Sequence, residues 1–305
     1  MKHRISLKYG AWPLPTLAAI AVLLLAAACS GSGAKEQAVA PATQAPPATE
    51  AAPPTSAPAE KAEIPVVTIE ATDDGFKVPE VVPGGIVQVD VTNTGSEPVQ
   101  VSLARVKEGH TRQEVIDVNE ETLKNPDKIA DIFNVVALIY GVEDLAPGAT
   151  NTFYTDLRTG DFGLSDDAHP DRPLVFFKAD EIVGKTEPET AVSVDMVDFA
   201  YNMPDVVPGK GLWEFANTGD QWHMAVMIPH TPDASPEQML GELDSAATGS
   251  LSPMSPGERV WVEMDFQPGE YVLVCPLPDL TAMGGDSEPM PHLLHGMQHV
   301  FTVSN

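Results

Sequence analysis

Residues 199–229, FAYNMPDVVPGKGLWEFANTGDQWHMAVMIP, repeat the pattern of residues 76–106, FKVPEVVPGGIVQVDVTNTGSEPVQVSLARV. Each segment reads as a strand, a Pro-Gly turn, a strand, an Asn-Thr-Gly turn and another strand. The stretches that follow match as well: LAPGATNTFYTDLRTGDFGLSD from Leu145 and MSPGERVWVEMDFQPGEYVLVC from Met254. Short strands separated by turns at regular spacing predict an all-β chain of two tandem Greek-key β-sandwich domains, at 63–184 and 185–305.

Each repeat also carries a segment with helix signals between its two halves. In the first repeat Thr111 opens a capping box, and apolar residues at helical spacing predict a second helix from Asn125 to Gly141. In the second repeat Ser235 opens another capping box. We expect these short helical insertions to cover one end or edge of each sandwich.

The N-terminal segment predicts export. Residues 1–28 are basic, then apolar, then small, and their apolar core is too short to span a bilayer, which is typical of a signal peptide. Cys29 follows three alanines and resembles the cysteine of a bacterial lipobox, although Leu25 stands four residues before it instead of three. The alternative is an ordinary secretory peptide that is cut near Ala28.

Residues 29–62 are rich in Ala, Pro, Thr and Glu and show no apolar period, so they predict a disordered tether. With a lipidated Cys29, this tether would hold the sandwiches away from a membrane. We therefore expect a lipoprotein anchored to the cell membrane by its lipid alone, facing the periplasm or the outside of the cell.

The charge of the chain excludes several partners. Its formal charge is −27, and removal of Lys2, Arg4 and Lys8 with the signal peptide takes it to −30 (−27 minus 3). So negative a surface argues against nucleic acid and against anionic lipid as partners. Solubility, or a basic protein partner, is consistent with it.

The segment GEYVLVCPLPDLTAMGGDSEPMPHLLHGM, residues 269–297, brings metal-ligand types together. It reads as a strand ending at Cys275, then a Pro- and Gly-rich loop, then His292, His295 and Met297. A thiolate, an imidazole and a thioether are ligands that copper prefers, and His223 is the candidate for a second imidazole. If Cys29 is lipidated or removed, Cys275 has no intramolecular disulfide partner, so it is either a ligand or a buried inert thiol.

A different metal site is conceivable at the C-terminus. His292, His295 and His299 are spaced so that they could share one helical face and bind zinc or nickel. Gly296 and the short distance to the last strand argue against a helix there.

The second repeat resembles the cupredoxin family. Gly269-Glu-Tyr-Val-Leu-Val-Cys275 is similar to the strand that delivers the copper thiolate in plastocyanin-like proteins, and Asn217-Thr-Gly-Asp-Gln-Trp-His223 is similar to the segment that delivers the first histidine. His292 and Met297 have the family's spacing. The resemblance implies one type 1 copper with His223, Cys275 and His292 as strong ligands and Met297 as the weak axial one. Cys275 and His292 are separated by sixteen residues, more than in small members of the family.

The first repeat lacks this ligand set, since Val99 stands where His223 does and Asp166 where Cys275 does. We therefore expect a metal-free first domain and, overall, an electron-transfer protein that works with a redox partner protein. Copper delivery or storage, with a copper-exchanging partner protein and with help from Met283 and Met290, is an alternative, and a metal-free interaction module is another. An enzyme is not expected, because copper oxidases and nitrite reductases need further histidine-rich sites, and the sequence has no His-x-His or Cys-His pair.

Overall fold

The computed structural model of the protein describes residues 63–125, 128–279 and 289–304. The predicted signal peptide at 1–28, Cys29, the tether at 29–62 and Met283 all lie outside these residues. Within them, the first repeat holds helices α1 (Arg112–Lys124) and α2 (Ile129–Val135). Its strands are β1 (Val66–Thr72), β2 (Gly75–Lys77), β3 (Val81–Asn93), β4 (Val99–Val106), β5 (Val136–Leu145), β6 (Thr150–Leu157), β7 (Gly160–Asp166) and β8 (Val175–Gly184).

The second repeat holds helix α3 (Pro236–Ala246) and a 3₁₀ turn (His292–His295) that precedes its last strand. Its strands are β9 (Val192–Val197), β10 (Ala200–Asn202), β11 (Val206–Pro208), β12 (Lys210–Asn217), β13 (His223–Pro229), β14 (Gly249–Met254), β15 (Arg259–Asp265), β16 (Gly269–Val274) and β17 (Gln298–Ser304). No helix in the described ranges has the length and apolar character needed to cross a membrane.

Strand pairing repeats along the chain. In the first repeat β3 pairs with β1 and β8 in parallel and with β6 antiparallel, while β7 pairs with β4 and β8. The second repeat reproduces each of these pairs, except that β11 and β12 together stand in place of the long β3. The resulting sheets have the orders β10-β9-β12-β15-β6-β3-β8-β7-β4-β5, with β1 and β2 beside β3, and β11-β17-β16-β13-β14. The all-β prediction is confirmed.

The two repeats are joined by a continuous sheet, because β15 pairs antiparallel with β6. This junction buries Trp261 completely, although the alternation of β15 predicts an exposed position for it. Beside it Arg105 donates to Glu258 at 2.5 Å, and the Glu258 side chain is only 2% exposed. Removing one partner of a buried ion pair is strongly destabilising, so the first repeat supports the turn of the second that contains Glu258.

The helical insertions are present, with one difference in extent. Thr111 and Ser235 cap α1 and α3 with the capping boxes that the sequence predicts. Helix α2, however, begins after Lys128 and ends at Val135, and residues from Val136 onward form β5. The prediction of a helix up to Gly141 is wrong. This stretch is rich in β-branched and apolar residues, it pairs antiparallel with β4, and its residues Val136, Ala137 and Ile139 are buried.

Candidate metal centre

Three side chains from three different elements meet at one end of the second repeat. His223 begins β13, Cys275 follows the last residue of β16, and His292 begins the 3₁₀ turn before β17. Since β16 pairs with both β13 and β17, these ends lie side by side. His223 and Cys275 are completely buried and His292 is 1% exposed. The ligand atoms of the three residues all lie within 4.8 Å of one another.

The inward-facing atoms have the spacing of metal ligands. The Nδ1 atoms of His223 and His292 are 3.2 Å apart, and the His292 Nδ1 is 3.5 Å from the Cys275 Sγ. Three ligand atoms at about 2.0–2.3 Å from one ion in a trigonal plane lie roughly 3.5–4 Å from one another. The two distances at the His292 Nδ1 are close to this spacing, and all three ligand atoms lie within 4.8 Å of one another.

The orientation of His223 is fixed by Asp198, the residue after β9. The His223 Nε2 is 2.9 Å from the Asp198 Oδ1, and this carboxylate also accepts the backbone N–H groups of Asp220 and Gln221. Burial alone would raise the pKa of Asp198, but these hydrogen bonds outweigh it and hold that pKa below its usual value. A proton on Nε2 leaves the lone pair of Nδ1 directed at the other two side chains.

Gly219 makes this contact possible. A Cβ atom at Gly219 would lie 2.4 Å from the Asp198 Oδ1 and 2.9 Å from the His223 Nε2. Both distances are shorter than the contacts that Cβ atoms make in proteins. The third residue of the Asn-Thr-Gly turn must therefore be glycine for the carboxylate to reach the imidazole.

Both imidazoles are held in the neutral form that binds metals. Burial lowers the pKa of His223, against the opposing effect of Asp198. Burial, and next the neighbouring His223, lower the pKa of His292 to about 4. At 3.2 Å the two Nδ1 atoms either share one proton in a hydrogen bond or direct both lone pairs at one cation. The pair therefore has a spacing at which both imidazoles can bind the same metal ion.

The thiol is equally enclosed. Burial raises the pKa of Cys275 to about 11, although the backbone N–H groups of Met224 and Leu277 and the hydroxyl of Tyr201 all favour the thiolate. Its own backbone N–H donates to the Met297 carbonyl at 3.2 Å. Without a cation this sulfur is protonated at neutral pH, and a metal ion must displace the proton.

The long segment between Cys275 and His292 is closed at its base. The His292 N–H donates to the Leu277 carbonyl at 2.8 Å, and the Asp279 N–H donates to the Met290 carbonyl at 2.9 Å. A bridge between Pro278 and Pro291 lies between these two bonds. The extra length therefore does not separate the histidine from the cysteine.

Met297 and His295 occupy different positions. Met297 is completely buried, and its backbone bonds to both Cys275 and His292, with its N–H 3.0 Å from the His292 carbonyl oxygen. His295 is exposed and stacks on the ring of Phe199 at 4.5 Å, so it takes no part in the group. Among the described residues, the three histidines near the C-terminus do not converge on a second metal site.

In the first repeat an ion-pair cluster occupies the matching position. Asp166 is buried, and its Oδ2 lies 2.8 Å from the His169 Nδ1 and 2.6 Å from the Arg172 Nη1. Its Oδ1 accepts the backbone N–H of Gln100. The hydrogen bond to this carboxylate raises the pKa of His169. A guanidinium and an imidazole thus hold the buried carboxylate at the position that Cys275 has in the second repeat.

Three residues around the centre were missed by the sequence reasoning: Asp198, Gly219 and Tyr201. Asp198 had a signal, because Asp73 occupies the same place before β2 and its carboxylate accepts the N–H of Ser96 in the first repeat. Gly219 lies within the quoted Asn-Thr-Gly motif, where it reads only as a turn residue. Tyr201 had none, since a buried tyrosine on a short strand usually packs without a further role.

The chain matches no protein-family model and no curated protein at a significant level. Among solved structures it is similar to a reduced auracyanin from Roseiflexus castenholzii, with 22% identity over 39% of this chain and 100% of that chain, and a TM-score of 0.29. It is also similar to a multicopper oxidase, with 14% identity over 78% of this chain and 88% of that chain, and a TM-score of 0.22. A copper nitrite reductase from Nitrosomonas europaea is similar with 9% identity over 80% of this chain and 95% of that chain, and a TM-score of 0.22. Identities and TM-scores this low name no family for this chain.

These similarities correct one expectation. The prediction that the chain is no enzyme is wrong as it was made, because multicopper oxidases and copper nitrite reductases, which are enzymes, are among the structures it resembles. The absence of His-x-His and Cys-His pairs does not justify the exclusion.

Proposed function

We propose that the protein binds one copper ion, of type 1, through His223, Cys275 and His292, with Met297 in the axial position, and that it transfers single electrons. The observation that carries this proposal is the buried His-Cys-His group, whose ligand atoms lie within 4.8 Å of one another. Neutral imidazoles with a thiolate and a thioether form the soft, trigonal donor set of blue-copper sites. Bound copper supplies a one-electron redox couple there.

The protein's own contribution is to hold these ligands fixed and dry. Asp198 orients His223, while the backbone bonds of Met297 tie Cys275 to the end of the 3₁₀ turn. All four proposed ligands are at most 1% exposed, which keeps water from coordinating. A site that does not rearrange between redox states suits rapid electron transfer.

The same observations weigh against copper delivery. A carrier must release its metal readily, whereas these ligands are buried beneath a closed loop base. The Met290 side chain is 42% exposed, unlike the buried ligands. A redox partner protein is therefore the preferred partner over a copper-exchanging one.

The spectrum of copper-loaded protein tests this proposal. One equivalent of Cu(II) added to the apo-protein should produce intense thiolate-to-copper absorption, which one electron equivalent bleaches and reoxidation restores. Cys275→Ser should abolish the absorption, whereas Cys29→Ser, at the other cysteine of the sequence, should leave it unchanged. Absence of the band in the wild type would overturn the proposed site. A band that a Cu(I) chelator removes within seconds would favour copper exchange.

We further propose that the protein is exported and anchored through a lipidated Cys29, with residues 29–62 as a tether. The support comes from the basic, apolar and small segments of residues 1–28 and from the composition of the tether. Cys29→Ala should move the protein from the membrane fraction to the soluble fraction. An unchanged distribution would favour an ordinary secretory cleavage instead.

A further inference from the structure

The hairpin between β9 and β10 contacts all three residues of the centre. Its loop consists of Asp198 and Phe199, and Asp198 binds the His223 Nε2. The Phe199 ring meets the His292 ring edge-on at 5.1 Å. Phe199 adopts a left-handed backbone with φ of 60°, which a bulky residue rarely does and which concentrates at functional sites.

The third contact comes from Tyr201, two residues further on. Tyr201 is 4% exposed, and its hydroxyl donates to the Met224 carbonyl at 2.5 Å. The same hydroxyl lies within hydrogen-bonding reach of the Cys275 sulfur. A phenol keeps its proton at neutral pH, so the Tyr201 hydroxyl is a hydrogen-bond donor.

The first repeat provides an internal comparison. Tyr201 pairs with the β9 residue Met196, and in the same register of the first repeat Phe76 pairs with the β1 residue Ala71. Phe76 fills the same place in the sandwich but has no hydroxyl. The hydroxyl is thus present in the repeat that has Cys275 and absent from the repeat that has Asp166 there. Packing alone does not require it.

We propose that the Tyr201 hydroxyl donates a hydrogen bond to the Cys275 thiolate in the copper-loaded site and thereby raises its reduction potential. The inference rests on the proposed copper site. A hydroxyl has one proton to give, and a charged thiolate is a stronger acceptor than the neutral Met224 carbonyl. A hydrogen bond to the sulfur withdraws electron density from the metal–thiolate bond, which favours the reduced ion. Tyr201 is a positioning and tuning residue, not a ligand.

The test compares Tyr201→Phe with Tyr271→Phe in copper-loaded full-length protein. Tyr271 is also buried in the second repeat, but its hydroxyl donates to the Gln267 carbonyl at 2.9 Å. The midpoint potential should fall in Tyr201→Phe, and its thiolate-to-copper absorption should shift in energy. Both readouts should stay at wild-type values in Tyr271→Phe. Unchanged readouts in folded, copper-bound Tyr201→Phe, or equal shifts in both variants, would overturn the proposal.

A second measurement does not depend on the stability of the variant. Replacing tyrosine by 3-fluorotyrosine makes each phenol a stronger donor, so the midpoint potential of the wild-type sequence should rise, opposite to the Tyr201→Phe effect. No rise would contradict the hydrogen bond. If the unlabelled wild type shows no thiolate-to-copper absorption at all, the copper site itself fails, which is a separate result.

Discussion

Replacing Asp198 by Ala removes the carboxylate that orients the His223 imidazole. The His223 Nε2 loses its acceptor at 2.9 Å, while the imidazole stays in a completely buried position. The variant also frees the backbone N–H groups of Asp220 and Gln221 from the same carboxylate. The ring can then rotate, and its neutral tautomer with the proton on Nδ1 no longer offers a lone pair to the metal.

The expected loss follows from the kind of contact that is removed. Mutation of a partner that orients a metal-ligating histidine typically lowers metal affinity by about 10–100-fold, or roughly 1.4–2.8 kcal/mol. Asp73→Ala is the matched control, because the Asp73 carboxylate accepts the N–H of Ser96 at 2.7 Å in the corresponding turn but contacts no residue of the centre. It removes a similar turn contact and should leave copper affinity unchanged.

The assay is a competition titration against a chromophoric Cu(I) chelator, with thermal unfolding of the apo-proteins recorded in parallel. A dissociation constant for Asp198→Ala within about twofold of the wild-type value would refute the reasoning, since the orienting contact should be worth at least tenfold. An equal loss of affinity in Asp73→Ala would show that turn stability, and not imidazole orientation, controls binding.

Three further outcomes are expected. His292→Ala should abolish the thiolate-to-copper absorption and His295→Ala should shift it at most, as visible spectra will show; the reverse would move the ligand to the exposed histidine. Gly219→Ala should weaken copper binding in the same titration because its Cβ separates the carboxylate from the imidazole, whereas Gly95→Ala, in the matching turn, should destabilise without loss of affinity. Since the pKa of Cys275 is raised to about 11, copper binding releases a proton at neutral pH, and the dissociation constant should fall about tenfold per pH unit between about pH 6 and 8; a flat profile would contradict the thiolate ligand.

The repeat made most of the fold predictable. Turn motifs at matching places in 76–106 and 199–229 predicted short strands in two sandwiches, and the capping boxes at Thr111 and Ser235 located two helices. The features of the fold that the sequence did not predict depend on contacts between distant segments. Trp261 reads as exposed from its own strand and is buried because β15 continues the sheet into β6. No local pattern reports such a junction.

The residues of the candidate site were also predictable only in part. Cys275, His223 and His292 could be named from ligand chemistry and from their absence in the first repeat. The resemblance already selected His292 over His295, and the structure buries the first and exposes the second on Phe199. Tyr201 was not recognisable from the sequence because it lies far from Cys275 along the chain and meets it only through the β9–β10 hairpin.

Anomalous diffraction from crystals of copper-loaded protein, at wavelengths on either side of the copper absorption edge, tests the central claim most directly. One copper peak per chain is expected, bonded at about 2.0–2.3 Å to the Nδ1 atoms of His223 and His292 and to the Cys275 Sγ. No peak is expected beside Asp166 and His169 in the first repeat. A copper ion bound elsewhere, or an empty site with the His223 and His292 Nδ1 atoms still 3.2 Å apart in copper-soaked crystals, would contradict it.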